Sequence, residues 1–186
     1  KKKYNNFSHK IYKTGSPRID LLKSLFKEYW KKPHSIPKKP FLLISSNMVV
    51  CNRIPFHNRI QNHKKSNYFE TAPELFNKNF VQVSNDYLKA IVFIEAIKHL
   101  SKNNNGYDIV FRPHPSEDID CWKILLDGIS NVHVIHDGPI NAWIHYAFAV
   151  MHHGCTSAIE TIISGKPIVT YFAPELKEHQ LSGNLT

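Results

Sequence analysis

Apolar runs and segments of helical period alternate along most of this chain. Short apolar runs predict five strands, at residues 41–46, 107–111, 132–135, 147–151 and 167–172. Apolar residues that recur every three or four positions predict helices, at residues 20–30, 85–102, 119–126, 140–146 and 156–163. Because the connections are short, this alternation predicts an α/β fold, a parallel sheet with helices on both faces.

Two stretches have a weaker pattern. Residues 47–79 are polar and contain Pro55 and Pro73, so they predict one short helix within an irregular loop. Residues 80–83 predict a brief strand or an extended lead-in to the helix at 85–102. Near the start, residues 14–20 contain a glycine and a proline and predict a turn.

Length and composition are those of one globular domain. With 186 residues, 42% of them apolar, the chain can bury a core without disulfides or a structural metal. The cysteines, Cys51, Cys121 and Cys155, have no C-x-x-C spacing, so we expect a reducing, cytoplasmic environment. No apolar stretch reaches the roughly 20 residues that a membrane-spanning helix needs. The start at Lys1 has no apolar segment after it and no initiator methionine, so we expect part of a longer protein.

The charge balance favours an anionic partner. Twenty-four Lys and Arg residues against fifteen Asp and Glu residues give a net charge of +9, which suits a phosphate, a nucleic acid or a membrane face. Biased genomic base composition is the alternative explanation, since the chain is also rich in Asn and Ile. The twelve histidines show no metal-binding spacing, so no metal is expected.

The residues that follow the predicted strands are polar, small or cationic. In parallel sheets ligands bind at the carboxyl ends of the strands. After the second strand, Arg112 offers a planar set of donors that suits phosphate, and His114 lies between two prolines. These residues predict an anion site. The alternative is that Arg112 forms a surface ion pair with Glu117 or Asp118.

The turn Gly154-Cys155-Thr156-Ser157 joins a strand to a helix, where free backbone amides attract phosphate. In the alternative, Ser157 and Glu160 form a capping box. Glu160 is also a candidate to bind ribose hydroxyls. Cys155 is a candidate nucleophile or a small buried thiol, and Gly165 predicts a helix C-cap.

This series of motifs resembles the C-terminal half of GT-B glycosyltransferases. The matching segments run from Thr14-Gly15-Ser16-Pro17-Arg18-Ile19-Asp20 through Arg112-Pro113-His114-Pro115, Asp137 and residues 153–160 to Gly165-Lys166-Pro167-Ile168. Within that fold they are most similar to bacterial surface-carbohydrate and capsule biosynthesis proteins. They resemble the CDP-glycerol glycerophosphotransferases and the UDP-N-acetylglucosamine 2-epimerases more distantly.

The resemblance implies that residues 1–19 are an interdomain segment and that residues 20–186 are a Rossmann-like donor-nucleotide-binding domain, the C-terminal domain of the GT-B type, with the N-terminal acceptor domain absent. It assigns a catalytic role to Arg112 and His114, against the departing phosphate. The substrate-binding residues that it implies are these two, Gly154, Thr156 and Ser157 around the diphosphate, Glu160 at the ribose, and Asp137 and His153. It implies no cofactor and no metal beyond the nucleotide-activated donor.

The implied reaction transfers a sugar or a glycerophosphate from that donor to a glycan or lipid-linked acceptor. A nucleotide-sugar epimerase would share the fold and the phosphate contacts. The resemblance implies no nucleic-acid partner, and a basic nucleic-acid-binding module is the non-enzyme alternative. A cytoplasmic location at the inner membrane face is compatible with the lysine-rich start of the chain.

Overall fold

The centre of the protein is a five-stranded sheet in which all neighbouring strands are parallel. The computed structural model describes residues 15–48, 56–104 and 106–171. The strands are β1 (Phe41–Ser45), β2 (Asp108–Arg112), β3 (Val132–Val134), β4 (Ala149–His152) and β5 (Ile168–Thr170). Their order in the sheet is β3-β2-β1-β4-β5. The predicted Rossmann-like α/β fold is confirmed.

Helices cover both faces of this sheet. They are α1 (Pro17–Asp20), α2 (Phe56–Lys65), α3 (Tyr68–Thr71), α4 (Pro73–Lys102), α5 (Ile119–Leu125), α6 (Ile140–Tyr146) and α7 (Ser157–Ile163), with a 3-10 helix at Ser24–Tyr29. Alternate residues of β1 point to opposite faces, so Ile44 packs in one core with Trp122 and Leu43 packs in the other with Trp143. Burial on both faces explains why the three central strands, β1, β2 and β4, have largely apolar sequences.

The strand order reverses beside β1. The chain builds β1, β2 and β3 outward in one direction and then returns to place β4 on the other side of β1. Such a reversal leaves a crevice at the carboxyl ends of the two central strands, where ligands bind in folds of this kind. Within the described residues no helix is long and apolar enough to cross a membrane.

Three local predictions are wrong. The described part of 47–79 holds not one short helix but α2, α3 and the start of α4. Residues 80–83 are not extended but lie inside α4, which begins at Pro73, a residue whose fixed φ suits a first helical turn. The predicted helix at 20–30 is broken, because Lys23 is extended and only the 3-10 turn follows it. Leu22 is buried but Leu25 is 83% exposed, so the apolar stripe packs only in part. The predictions for residues 1–14, 49–55 and 172–186, Cys51 among them, lie outside the described residues.

Candidate functional site

A cavity of about 270 Å³ lies at the carboxyl ends of the strands. Among the predicted site residues, those that line it are Arg112, His114, Thr156, Ser157 and Glu160. Ser45, Ser46, His136 and Cys155 line it as well, although the sequence analysis assigned no binding role to the first three. The loop after β2 and the glycine turn before α7 therefore meet at one rim of the sheet, as the sequence predicts.

Arg112 forms a fixed cationic wall of this cavity. Its guanidinium donates hydrogen bonds to the carbonyl of Asp137, at 2.7 Å, and to the carbonyl of Gly138, and it lies 5.8 Å from the ring centroid of Trp143. Burial lowers the pKa of Arg112 to about 10, although Asp137 acts in the opposite direction, so the group is charged at neutral pH. Arg112 thus anchors the loop after β3 and also supplies positive charge.

Glu117 and Asp118 have partners other than Arg112, so the alternative of a surface ion pair is wrong. The buried carboxylate of Glu117 accepts hydrogen bonds from the Ser46 hydroxyl at 2.8 Å, the Met48 amide at 2.7 Å and the Trp122 indole at 2.6 Å. Asp118 is the N-cap of α5 and accepts from two backbone amides of that helix. Glu117 therefore holds the loop after β1 against α5 and orients the Ser46 hydroxyl at the cavity wall.

Replacing Glu117 by glutamine is expected to destabilise the fold. The amide can accept at only one of its two terminal atoms, so at least one buried donor loses its partner. We expect the free energy of unfolding to fall by about 2 kcal/mol, measured by urea denaturation. Glu95→Gln, on the exposed side of α4, is the matched control, and an equal loss in both variants would contradict the role given to Glu117.

His114 is fixed in one tautomer when neutral. Its Nδ1 accepts a hydrogen bond from the backbone amide of Ser116 at 3.1 Å. The proton of the neutral ring is therefore on Nε2, since an accepting nitrogen carries none. The side chain is exposed and lines the cavity. His114 can thus donate to an anion from Nε2.

Hydroxyl and thiol groups join β1 to the start of α7 on the cavity wall. The Ser45 hydroxyl lies 2.7 Å from the Ser157 hydroxyl and 3.1 Å from the Cys155 sulfur, and the last two are 2.5 Å apart. The Ser157 hydroxyl is therefore bonded to Ser45 at the end of β1 and to Cys155 in the preceding turn. The helix α7 begins without a side-chain cap. The capping-box alternative is wrong, and Cys155 matches the alternative of a small buried thiol.

Asp137, His153 and Gly154 lie beside the cavity and do not line it. The Asp137 carboxylate accepts from the Ser35 hydroxyl at 2.9 Å. Gly154 has a φ of +73°, which its lack of a side chain permits. His153 is buried, with its ring 5.3 Å from that of Phe93 on α4.

Glu160 and His136 also line the cavity. Glu160, in the first turn of α7, is 7% exposed. His136 is exposed, and its pKa is lowered by partial burial and then by the neighbouring charges of Arg112 and His114. His136 and Ser45 could have been predicted from the sequence, because each is a polar residue at or just after the end of a strand. The sequence does not show that β1 lies at the centre of the sheet, which is what brings Ser45 beside α7.

The geometry provides a cation, a ring N–H donor and several hydroxyls around a cavity at the strand reversal. These groups suit an anion that also carries hydroxyls. Within residues 15–48, 56–104 and 106–171 no group of three or more His, Cys, Asp or Glu side chains is placed to hold a metal ion. Comparison of the chain with known protein families, with curated proteins and with solved structures finds no match.

Proposed function

We propose that the cavity binds the phosphate groups of a nucleotide-activated donor and that the chain is the donor-binding domain of a GT-B glycosyltransferase. The observation that carries this proposal is the meeting of Arg112 and His114 with Thr156 and Ser157 around one cavity at the strand reversal. Ligands of α/β sheets bind at that position. The resemblance of the motif series to bacterial surface-polysaccharide and capsule enzymes supports the same assignment.

The size of the cavity favours the phosphates over the whole donor. Pockets that enclose a drug-sized ligand have volumes of about 300 to 1,000 Å³, and this one has about 270 Å³. A diphosphate fits such a space, and the sugar then extends out of it. In this arrangement the sugar is presented to an acceptor held by another domain, at the cytoplasmic face of the membrane.

The proposed reaction breaks the bond between the sugar's anomeric carbon and the diphosphate oxygen. An acceptor hydroxyl forms the new bond to that carbon and loses its proton to a base. The electron pair of the broken bond goes to the departing diphosphate, which Arg112 and His114 stabilise. One preorganised donor at a developing negative charge lowers a barrier by about 3 kcal/mol.

Titration of the chain with UDP, CDP and CMP tests the binding step. We expect saturable binding that weakens about tenfold in His114→Ala, because one charge-assisted hydrogen bond contributes on the order of 1.4 kcal/mol. His99→Ala is the control, since His99 lies in the last turn of α4, at the other end of the sheet from the cavity. Isothermal titration calorimetry measures the affinities.

Other outcomes would change the assignment. Absence of nucleotide binding, or an equal loss of affinity in His114→Ala and His99→Ala, would contradict the proposal that this cavity binds the phosphates. Tighter, steeply salt-dependent binding of an oligonucleotide would favour the basic nucleic-acid module. Conversion of a nucleotide sugar without any acceptor, by the enzyme that contains this domain, would identify an epimerase.

A further inference from the structure

His136 lines the same cavity as Arg112 and His114 but has no role in the binding described above. It follows β3, whereas the other two residues belong to β2 and the loop after it. The charges of both act on His136. Three cationic or protonatable side chains from neighbouring strand ends therefore face one small space.

We propose that His136 is a further ligand of the bound phosphate and that the cavity takes up a proton when the anion binds. The inference rests on the proposed function, which it deepens by adding a ligand and a dependence on pH. His136 lines one cavity with Arg112 and His114, and proton binding to such a site is linked to anion binding.

Repulsion between cations gives the sign of the effect. In the empty cavity, partial burial and, after it, repulsion from Arg112 and His114 disfavour a proton on His136 and lower its pKa. A bound dianion offsets that repulsion and favours the protonated ring, because an opposite charge nearby stabilises the charged form. Arg112, with a pKa of about 10, is charged throughout the neutral range. Anion affinity should therefore rise as the pH falls from 8 to 6.

Three carboxylates of the described residues lie in or beside the cavity wall. Glu160 lines the cavity from α7 and is buried there. Asp137, next to His136 in sequence, directs its carboxylate to the Ser35 hydroxyl. Glu117 is bonded to Ser46 and to groups behind it. Among the described residues that line the cavity, the basic side chains are Arg112, His114 and His136, and Glu160 is the one acidic side chain, so an entering anion meets three basic groups and one acidic group.

Sulfate is the probe, because it remains a dianion over this range and any pH dependence then belongs to the protein. We expect sulfate to bind the 186-residue chain about tenfold more tightly at pH 6 than at pH 8. Uptake of one fully linked proton would change the affinity by at most about tenfold per pH unit. Calorimetry in buffers of different ionisation enthalpy counts the protons taken up. His136→Gln should weaken binding at pH 6 and flatten the dependence, whereas the control His99→Gln should retain it.

The outcomes separate this inference from the proposed function. Sulfate binding that is the same at pH 6 and pH 8, or a pH dependence that His136→Gln leaves unchanged, would overturn the role of His136 while the anion site stands. Absence of sulfate binding at both values would overturn both. Circular dichroism at each pH establishes that every variant is folded when its affinity is measured.

Discussion

Replacing Arg112 by lysine is expected to loosen the cavity wall although it preserves the charge. One ammonium group cannot bridge the carbonyls of Asp137 and Gly138 as the planar guanidinium does. Hydrogen bonds to charged groups contribute about 1.5 to 3 kcal/mol each, so we expect the free energy of unfolding to fall by about 3 kcal/mol. Urea denaturation measures this loss.

Arg112→Met separates the two roles of this residue. It removes the charge as well as the bonds, so it should lose stability as the lysine variant does and also lose nucleotide binding. Lys123→Met is the matched control, because Lys123 lies exposed on α5 and the same charge is removed. If Arg112→Met bound UDP as tightly as the unmodified chain, Arg112 would be a structural residue only.

Acid is expected to destabilise the fold, with His153 making the largest contribution. Burial, then the charges of Lys89 and His152, lower the pKa of His153 to about 4, whereas an unfolded chain protonates histidine near pH 6.5. The neutral ring therefore stabilises the folded state above pH 6.5. That stability is lost as the pH falls from 6.5 toward 4. At about 1.4 kcal/mol per pKa unit, the loss approaches 3 kcal/mol.

His153→Leu should remove this part of the acid sensitivity, since leucine has a similar volume and no proton to bind. Urea denaturation between pH 7 and pH 4 should show that the free energy of unfolding depends less on pH in this variant. The number of protons taken up on unfolding should fall by up to one. Some dependence should remain, because burial also lowers the pKa values of His145 and His152. His99→Gln is the control. The same slope in His153→Leu as in the unmodified chain would contradict the assignment.

The elements that periodicity predicted correctly bury their apolar residues, and the helix that it predicted wrongly does so only in part. Periodicity predicted α6 at residues 140–146 and located β1, because both bury their apolar residues in the core. It failed at residues 20–30, where the same helical spacing is present but only Leu22 is buried among the leucines of that segment. A helical pattern gains stability only when its apolar stripe packs against another surface.

At the cavity, the sequence located the groups but not their partners. Arg112 and His114 were found because they follow a predicted strand. That Arg112 bonds two carbonyls 25 and 26 residues further along the chain was not visible, since the contact depends on how the loop after β3 folds back. The partners of Glu117 were hidden for the same reason, because β1 and α5 are far apart in sequence.

The sequence by itself determined the alternation of strands and helices, and with it the parallel sheet and the rim where polar residues collect. These features follow from local periodicity and from the short connections between elements. The tertiary structure alone decided that β4 lies beside β1, that Ser45 meets Ser157, and which donors each charged side chain satisfies. Such contacts join residues distant in sequence, and their free energy depends on burial and geometry that no local pattern encodes.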